Sequence, residues 1–306
     1  MFVIEKQQTP PKSMKIDLTA TFCLVDDFCK DLKYQASKPQ LTDGTKTRNR
    51  SKKLSQSEMI TIVIAYHQIR FRDFKTFYLT CHQQLKEFFP NLISYSRFIQ
   101  LMPTITIPLL SFAMNLRGQC TGVSFIDSTP INVCHTKRIN RHKVFEGMAT
   151  RGRSTKGWFF GFKLHLAINE YGELLSFVLS PGNTDDRAPV IGMCQELWGK
   201  LFADKGYISQ KLFHELMGNG LQLVTSLRKN MKNKLMTLGD KVLLRKRSVI
   251  ETVNDQLKNI SEIEHSRHRS PANFLVNLIS GLIAYMLKPT KPSLFKYEDS
   301  TSLQLA

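Results

Sequence analysis

The chain has 306 residues, 42% of them hydrophobic, an ordinary globular composition with enough apolar material for one large or two ordinary domains. Its 43 Lys and Arg against 25 Asp and Glu give a net charge of +18 and a pI near 9.7, which points to a polyanionic partner, nucleic acid before an acidic membrane surface. Six cysteines without a CxxC pair exclude a zinc ribbon or disulfide framework, and neither the opening MFVIEKQQTPPK nor the longest apolar stretch, 274–287, has the pattern of a signal peptide or a membrane span, so a soluble cytoplasmic protein is expected.

The first 120 residues read as helical. Ser55, Gln56, Ser57 and Glu58 form a capping box ahead of Met59, Ile60, Ile62, Val63, Ile64 and Tyr66, an apolar helix that ends near Arg70. A second helix is expected over 73–89, closed by Pro90, and a brief third over 95–101 with Ser96, Arg97 and Gln100 available for outward contacts. The succession, about 55–101, resembles a helix-turn-helix. Upstream, Lys46, Arg48, Arg50, Lys52 and Lys53 lie in a Thr-, Ser- and Asn-rich stretch that serves equally as a solvated linker or as an arm along phosphates.

From Gly122 the pattern changes to strands. These are expected over 123–126, ending in Asp127; over 161–169 and 173–180, joined by a Glu170-Tyr171-Gly172 hairpin loop; over 201–204, ending in Asp204; and over 221–226. Asp185 or Asp186 caps a helix running to about Trp198, 209–217 is helical, and 248–260 is a helix carrying Glu251. A hairpin followed by alternating helices and strands means an α/β fold, a mixed five-stranded sheet covered by helices.

A single acid at a strand end is ordinarily a turn residue or a cap. Asp127, Asp204 and Glu251 are read together because phosphodiester chemistry uses two Mg2+ ions about 3.5–4 Å apart, held by a few carboxylates. Segments 136–163 and 228–247 each hold eight basic residues and one acidic residue, and they lie between the candidate carboxylates in sequence, as expected of loops lining a DNA channel. His165 is read as a hydrogen-bonded structural residue pointing toward Asp127 or into solvent. Among Trp158, Phe159, Phe160 and Phe162, core packing is expected for most, with Trp158 the candidate for stacking on a base. His265 and His268, interleaved with Arg267 and Arg269, fit a phosphate contact or a solvated basic turn.

The words FIDSTP (125–130), GFKLHLAINEYGEL, SPGNTDDRAPV (180–190), ADKGYIS (203–209) and RSVIETVNDQLK (247–258), spread over about 55–290, resemble the DDE transposases of bacterial insertion sequences, most of all the insertion sequence 982 family. The resemblance implies an RNase H-like catalytic domain over 121–290, following an all-helical DNA-binding domain over 1–120 and followed by a tail, 291–306. It implies that Asp127, Asp204 and Glu251 hold two Mg2+ ions, with Mn2+ able to substitute; the 76 and 46 residues between them leave no room for a large inserted domain before the glutamate. Related transposases carry a Tyr, Arg, Glu, Lys pattern on the last helix; Arg247, Glu251 and Lys258 fit it, and Leu244 stands in the place of the tyrosine. DNA contacts are expected from Arg97, Arg151, Arg153, Trp158, Lys205, Arg247 and Lys258, the last two reaching outward to phosphates. The implied activity is cleavage of double-stranded DNA at element ends and strand transfer into a target by a homodimer, with no membrane involved. An RNase H-like nuclease and a non-catalytic DNA-binding regulator are the alternatives.

Overall fold

The computed structural model describes residues 17–36, 53–71, 73–154, 157–226, 236–264 and 268–295. Most of the expected basic arm, residues 227–235 of the second basic segment, Lys156, His265, Arg267 and most of the expected tail lie outside the described residues.

Five helices come first: α1 (Leu18–Ala36), α2 (Gln56–Ile69), α3 (Phe74–Gln84), α4 (Tyr95–Leu101) and α5 (Thr106–Asn115). Ser55 starts α2 as its sequence implies: its hydroxyl accepts the Glu58 N–H at 3.0 Å and the Glu58 carboxylate accepts the Ser55 N–H at 2.6 Å, so two otherwise orphaned donors are satisfied. Asp73 and Ser94 cap α3 and α4 more simply, each accepting the N–H three residues on, of Thr76 and of Arg97. The continuous helical run Tyr95–Asn115 is apolar and long enough to cross a membrane by composition alone. Its Phe98, Met102, Ile105, Leu109 and Phe112 are instead buried in a core with α2.

Then follow β1 (Val123–Asn132), β2 (Thr150–Ser154), β3 (Gly157–Asn169), β4 (Leu174–Pro181), a four-residue α6 (Val190–Met193), β5 (Gly199–Ala203), α7 (Gln210–Gly218), β6 (Leu221–Thr225), α8 (Leu238–Lys246), α9 (Ser248–Asn259) and α10 (Pro271–Met286). Among the described residues the sheet has six strands where five were expected, in the order β2-β3-β1-β5-β6 with β4 also paired to β3. β1, β2 and β4 run antiparallel to β3, whereas β5 is parallel to β1 and to β6. The added strand, β2, is the edge partner of β3. A Cβ at Gly152 would strike the Gly182 carbonyl oxygen, so the absence of a side chain there is what lets β2 lie against the end of β4.

Two further expectations are corrected. Asp127 does not close its strand; β1 continues through Pro130 to Asn132, paired with β3 throughout. Pro130 fits because the even-numbered residues here turn their backbone groups away from β3, as the Asn132 N–H does to reach Glu264 Oε1 at 2.9 Å, and β5 no longer pairs on that side. The helix expected from Asp185 to about Trp198 is reduced to α6, and neither aspartate caps it. Asp185 accepts from its neighbour Arg187, and Asp186 is taken by Ser128 and Lys163.

Strand alternation sorts the sheet-side core. Phe125, Ile131, Leu164, Leu166 and Phe202 face α9 and α10, while Ile126, Ala167, Leu201 and Ala203 face α6 and α7. α10 is apolar on all sides because it has two partners. Val276, Ile279, Ile283 and Ala284 complete the core of the N-terminal helices, and Phe274, Leu278, Leu282 and Tyr285 cover the sheet. The Tyr285 hydroxyl also donates to the Gly172 carbonyl at 2.7 Å, tying the β3–β4 loop to this helix.

Candidate active site at the diverging strand ends

The parallel pairing of β1 with β5 sets Ser124 against Leu201 and Phe125 against Phe202, and there it stops. Two residues further along each chain stand Asp127 and Asp204, so the shared register brings them level where the strands part. Their side chains fall on the face of Phe125 and Phe202, whose rings stack 5.5 Å apart. Asp204, still extended, caps a short 3-10 turn by accepting the Gly206 N–H at 2.8 Å.

α9 packs on this same face through Val249, Ile250, Val253 and Leu257. Arg247, Glu251, Asn254 and Lys258 are spaced four, three and four residues apart, which aligns them on one side of the helix. Asn254 Nδ2 donates to Asp127 Oδ2 at 3.2 Å, and Arg247 Nη2 donates to Glu251 Oε1 at 2.6 Å while Nη1 stands 4.0 Å from Asp127 Oδ1. Glu251 therefore comes to the end of the sheet that carries the two aspartates. Lys258 does not reach outward as expected. Its Nζ pairs with Glu264 Oε2 at 2.9 Å and donates to the Pro130 carbonyl, because β1 runs past Asp127 and presents that acceptor. Arg247 is turned inward as well, onto the acids.

Burial pushes the Asp127 carboxyl up to about 6; the Arg247 guanidinium and the Ser128 backbone pull it back, and the charges of Asp204 and Glu251 push it further. A carboxylate crowded by two neighbouring negative charges in this way marks a site that favours a cation. Their all-oxygen chemistry fits a hard divalent ion, and the unpaired, buried Arg247 Nη1 and Asn254 Oδ1 show polar capacity left unused beside them. As the side chains stand, no three His, Cys, Asp or Glu residues among the described ones are grouped to hold an ion, and Glu251 is drawn onto Arg247.

The reverse face of the sheet carries a polar network that sequence reading missed. Asp186 Oδ1 accepts from Ser128 Oγ at 2.8 Å and from Lys163 Nζ at 2.9 Å, and Lys163 also donates to the Thr184 carbonyl at 2.8 Å. Tyr207 is buried beside it, and burial, with the charges of Asp127, Asp186 and Asp204, pushes its hydroxyl above the usual tyrosine range. His165 points neither at Asp127 nor into solvent. It pairs in register with Ser128, one position away from the partner of Asp127, and is fully buried with Nε2 2.8 Å from Ser180 Oγ. Burial holds it down to about 4. A histidine depressed in this way contributes stability above its unfolded value near 6.5 that is lost as pH falls toward 4, about 3 kcal/mol in all. Asp127, raised, acts in the opposite sense below about 6, so the comparison must be between proteins. The stability of His165→Gln relative to wild type is expected to rise by about 3 kcal/mol between pH 7 and pH 4 in urea unfolding. A pH-independent difference would show that the imidazole is not held neutral.

The other residues singled out in the sequence are spread more widely. Lys205 is exposed next to Asp204. Arg97 is exposed on α4, its Nη1 donating to Gln100 Oε1 at 3.1 Å. Arg151 and Arg153 project from β2, and Trp158, 66% exposed, stands opposite Arg153, whose guanidinium lies 6.0 Å from the ring centroid. The β2–β3 hairpin extends beyond the end of the sheet to which β1 points, so Trp158 lies about 26 Å along β3 from the level of Asp127. Phe159 and Phe162 are core residues, and Leu244 packs at the margin of the same core as α9. His268 is buried against the edge of Phe274, 5.0 Å between ring centroids, which removes it from any solvated turn.

Matches to the chain among solved structures include two, of which the first shares its fold. A piggyBac transposase in a synaptic complex with hairpin DNA matches with a TM-score of 0.51 and 10% identity over 89% of this chain and 75% of that one, a likeness of fold. A simian T-cell lymphotropic virus intasome in complex with the PP2A regulatory subunit B56 gamma matches at 10% identity over 64% of each chain, with a TM-score of 0.26. No curated protein sequence matches the chain. The family model described as Transposase DDE domain matches residues 117–271, half of the chain, from just before β1 into the first residue of α10. With the mixed sheet and its two acid-bearing strands inside that span, the chain belongs to the DDE-domain transposases.

Proposed function

We propose that this transposase cleaves double-stranded DNA at the ends of a bacterial insertion sequence, of the 982 type, and transfers the freed 3′-hydroxyl into target DNA. The observation that carries the reading is the common register of β1 and β5, which sets Asp127 level with Asp204 beneath the helix that carries Glu251. Asp127, Asp204 and Glu251 would hold Mg2+ or Mn2+ as a pair of ions, which supply an activated oxygen nucleophile and stabilise the leaving oxygen. Asn254 orients the Asp127 carboxylate, and burial of that carboxylate keeps bulk water from competing with the phosphate. The sheet order, an antiparallel β4-β3-β1 set followed by parallel β5 and β6, supports an RNase H-like reading of the catalytic part.

Positioning falls to the basic surface. Lys205 next to Asp204 would engage the DNA near the reacting phosphate, whereas Arg151, Arg153 and Trp158 on the projecting hairpin, and Arg97 on the helical part, would engage it further away. A homodimer would hold two ends together, acting on DNA in the cytoplasm. The test is a strand-transfer assay with Mg2+ on duplexes bearing the element's terminal repeats. Joined products are expected. Cleavage without joining would favour a plain nuclease, and binding without either reaction a regulator.

A further inference from the structure

The guanidinium of Arg247 lies between two of the three acids, and its hydrogen bonding is incomplete. Nη2 is bound to Glu251 Oε1 at 2.6 Å, whereas Nη1 is buried, has no hydrogen-bond partner among the described residues, and stops 4.0 Å from Asp127 Oδ1. That is too far for a hydrogen bond and near enough for the charge to count, since Arg247 is the main influence holding the Asp127 carboxyl down. The Arg247 side chain is only 19% exposed, so the unmade bond is not replaced by bulk water. A buried, half-satisfied guanidinium is a costly arrangement, and it persists because mutually repelling carboxylates need a positive charge beside them.

Glu251, in contrast, is 58% exposed and could face solvent freely, yet it bends back along its own helix to Arg247. Asn254 holds Asp127 from the next turn independently of the arginine, at 3.2 Å. Asp127 therefore keeps its place whether or not Arg247 stays, while Glu251 does not.

We propose that Arg247 is a stand-in cation: in the metal-free protein it occupies the charge position between Asp127 and Glu251, and it must leave before Glu251 can turn to a divalent ion. The proposal rests on the reading of the three acids as ion ligands. A small doubly charged ion satisfies carboxylate oxygens more completely than a guanidinium that reaches only one of them. The displaced fork, still tethered at the start of α9, is then free to pair with a phosphate oxygen. Ion binding and exposure of an anion-binding arginine thereby become a single exchange.

Competition of this kind is measured without any reaction. Mn2+ binding to the full chain, followed by the electron paramagnetic resonance signal of free Mn2+, is expected to be about tenfold tighter for Arg247→Leu than for wild type, the coupling expected when a competitor is removed. Arg247→Lys, which keeps the charge on a shorter reach, should fall between them. Asp204→Ala, which touches neither Arg247 nor its partners, should bind more weakly than wild type. Equal or weaker Mn2+ binding by Arg247→Leu, with Asp204→Ala still impaired, overturns the stand-in and leaves the acids as ligands. Unaltered binding by Asp204→Ala overturns both. If Arg247→Leu folds poorly, the intermediate affinity of Arg247→Lys carries the test, and a value equal to wild type overturns the proposal.

Discussion

Alanine at Asp127, Asp204 or Glu251 is expected to reduce DNA cleavage by at least about a thousandfold, the several kcal/mol that an ion ligand contributes to a transition state of high charge. Binding of the same DNA should change by no more than a few-fold, because the exposed cations of the hairpin and of α4 are untouched. The three positions should differ in stability. Asp127 is a largely buried carboxylate whose charged form is disfavoured by desolvation and by two neighbouring acids. Asp127→Asn keeps a polar group of the same shape opposite Asn254, removes that repulsion, and is expected to be inactive but no less stable than wild type. Glu251 is mostly exposed, so its removal costs little packing, but it leaves the largely buried Arg247 without the acceptor for Nη2, a loss of about 1–3 kcal/mol. Cleavage assays on gel-purified end duplexes, with fluorescence anisotropy for binding, separate these effects. An alanine variant that still cleaves at near wild-type rate takes its residue out of the site.

The second large effect concerns α10. Leu282 and Ile283 are adjacent, fully buried, and belong to different cores, the first to the sheet-side core and the second to the core of the N-terminal helices. Each alanine substitution should cost about 2–5 kcal/mol, since both positions are enclosed and neither cavity can collapse onto solvent. Because one rigid helix serves both cores, each variant is expected to shift a single urea transition, seen alike by circular dichroism and by tryptophan emission. Two separated transitions, with each variant moving only its own, would show that the helical part and the sheet part fold independently.

Much of this architecture is legible in the sequence, and the reasons are local. The strands at 161–169, 173–180, 201–204 and 221–226 are visible because their apolar residues keep a strand's composition between turn residues, and the start of α2 because a capping box needs only four residues. What escaped reading depends on partners far along the chain. β2, Thr-Arg-Gly-Arg-Ser, has no apolar alternation and is a strand only because β3 accepts it. Asp-Ser-Thr-Pro after Ile126 reads as a turn by composition, yet β3 holds it extended. Asp186 is a good cap in isolation and loses that role to Lys163 and Ser128, 23 and 58 residues away. At the site, the three acids and Arg247 were visible from type and order. The inward turn of Arg247 and Lys258 was not, because Asp127, Pro130 and Glu264 are brought to them by the fold. Asn254 carried one usable signal, its place three residues after Glu251 on the same helical face.

The shared helix also sets an order of events during synthesis. The N-terminal helices leave the ribosome first, but the wall that closes their core is made of Val276, Ile279, Ile283 and Ala284. At about 5–20 residues per second, the interval between finishing α5 and finishing α10 is on the order of ten to thirty seconds. Throughout it the apolar sides of α2 and α5 have no permanent cover, so the nascent chain is a natural client for a holding chaperone. A message cut short before α10 yields a polypeptide in which neither core is closed, so such fragments should be cleared by proteolysis before they accumulate as competitors of the intact transposase.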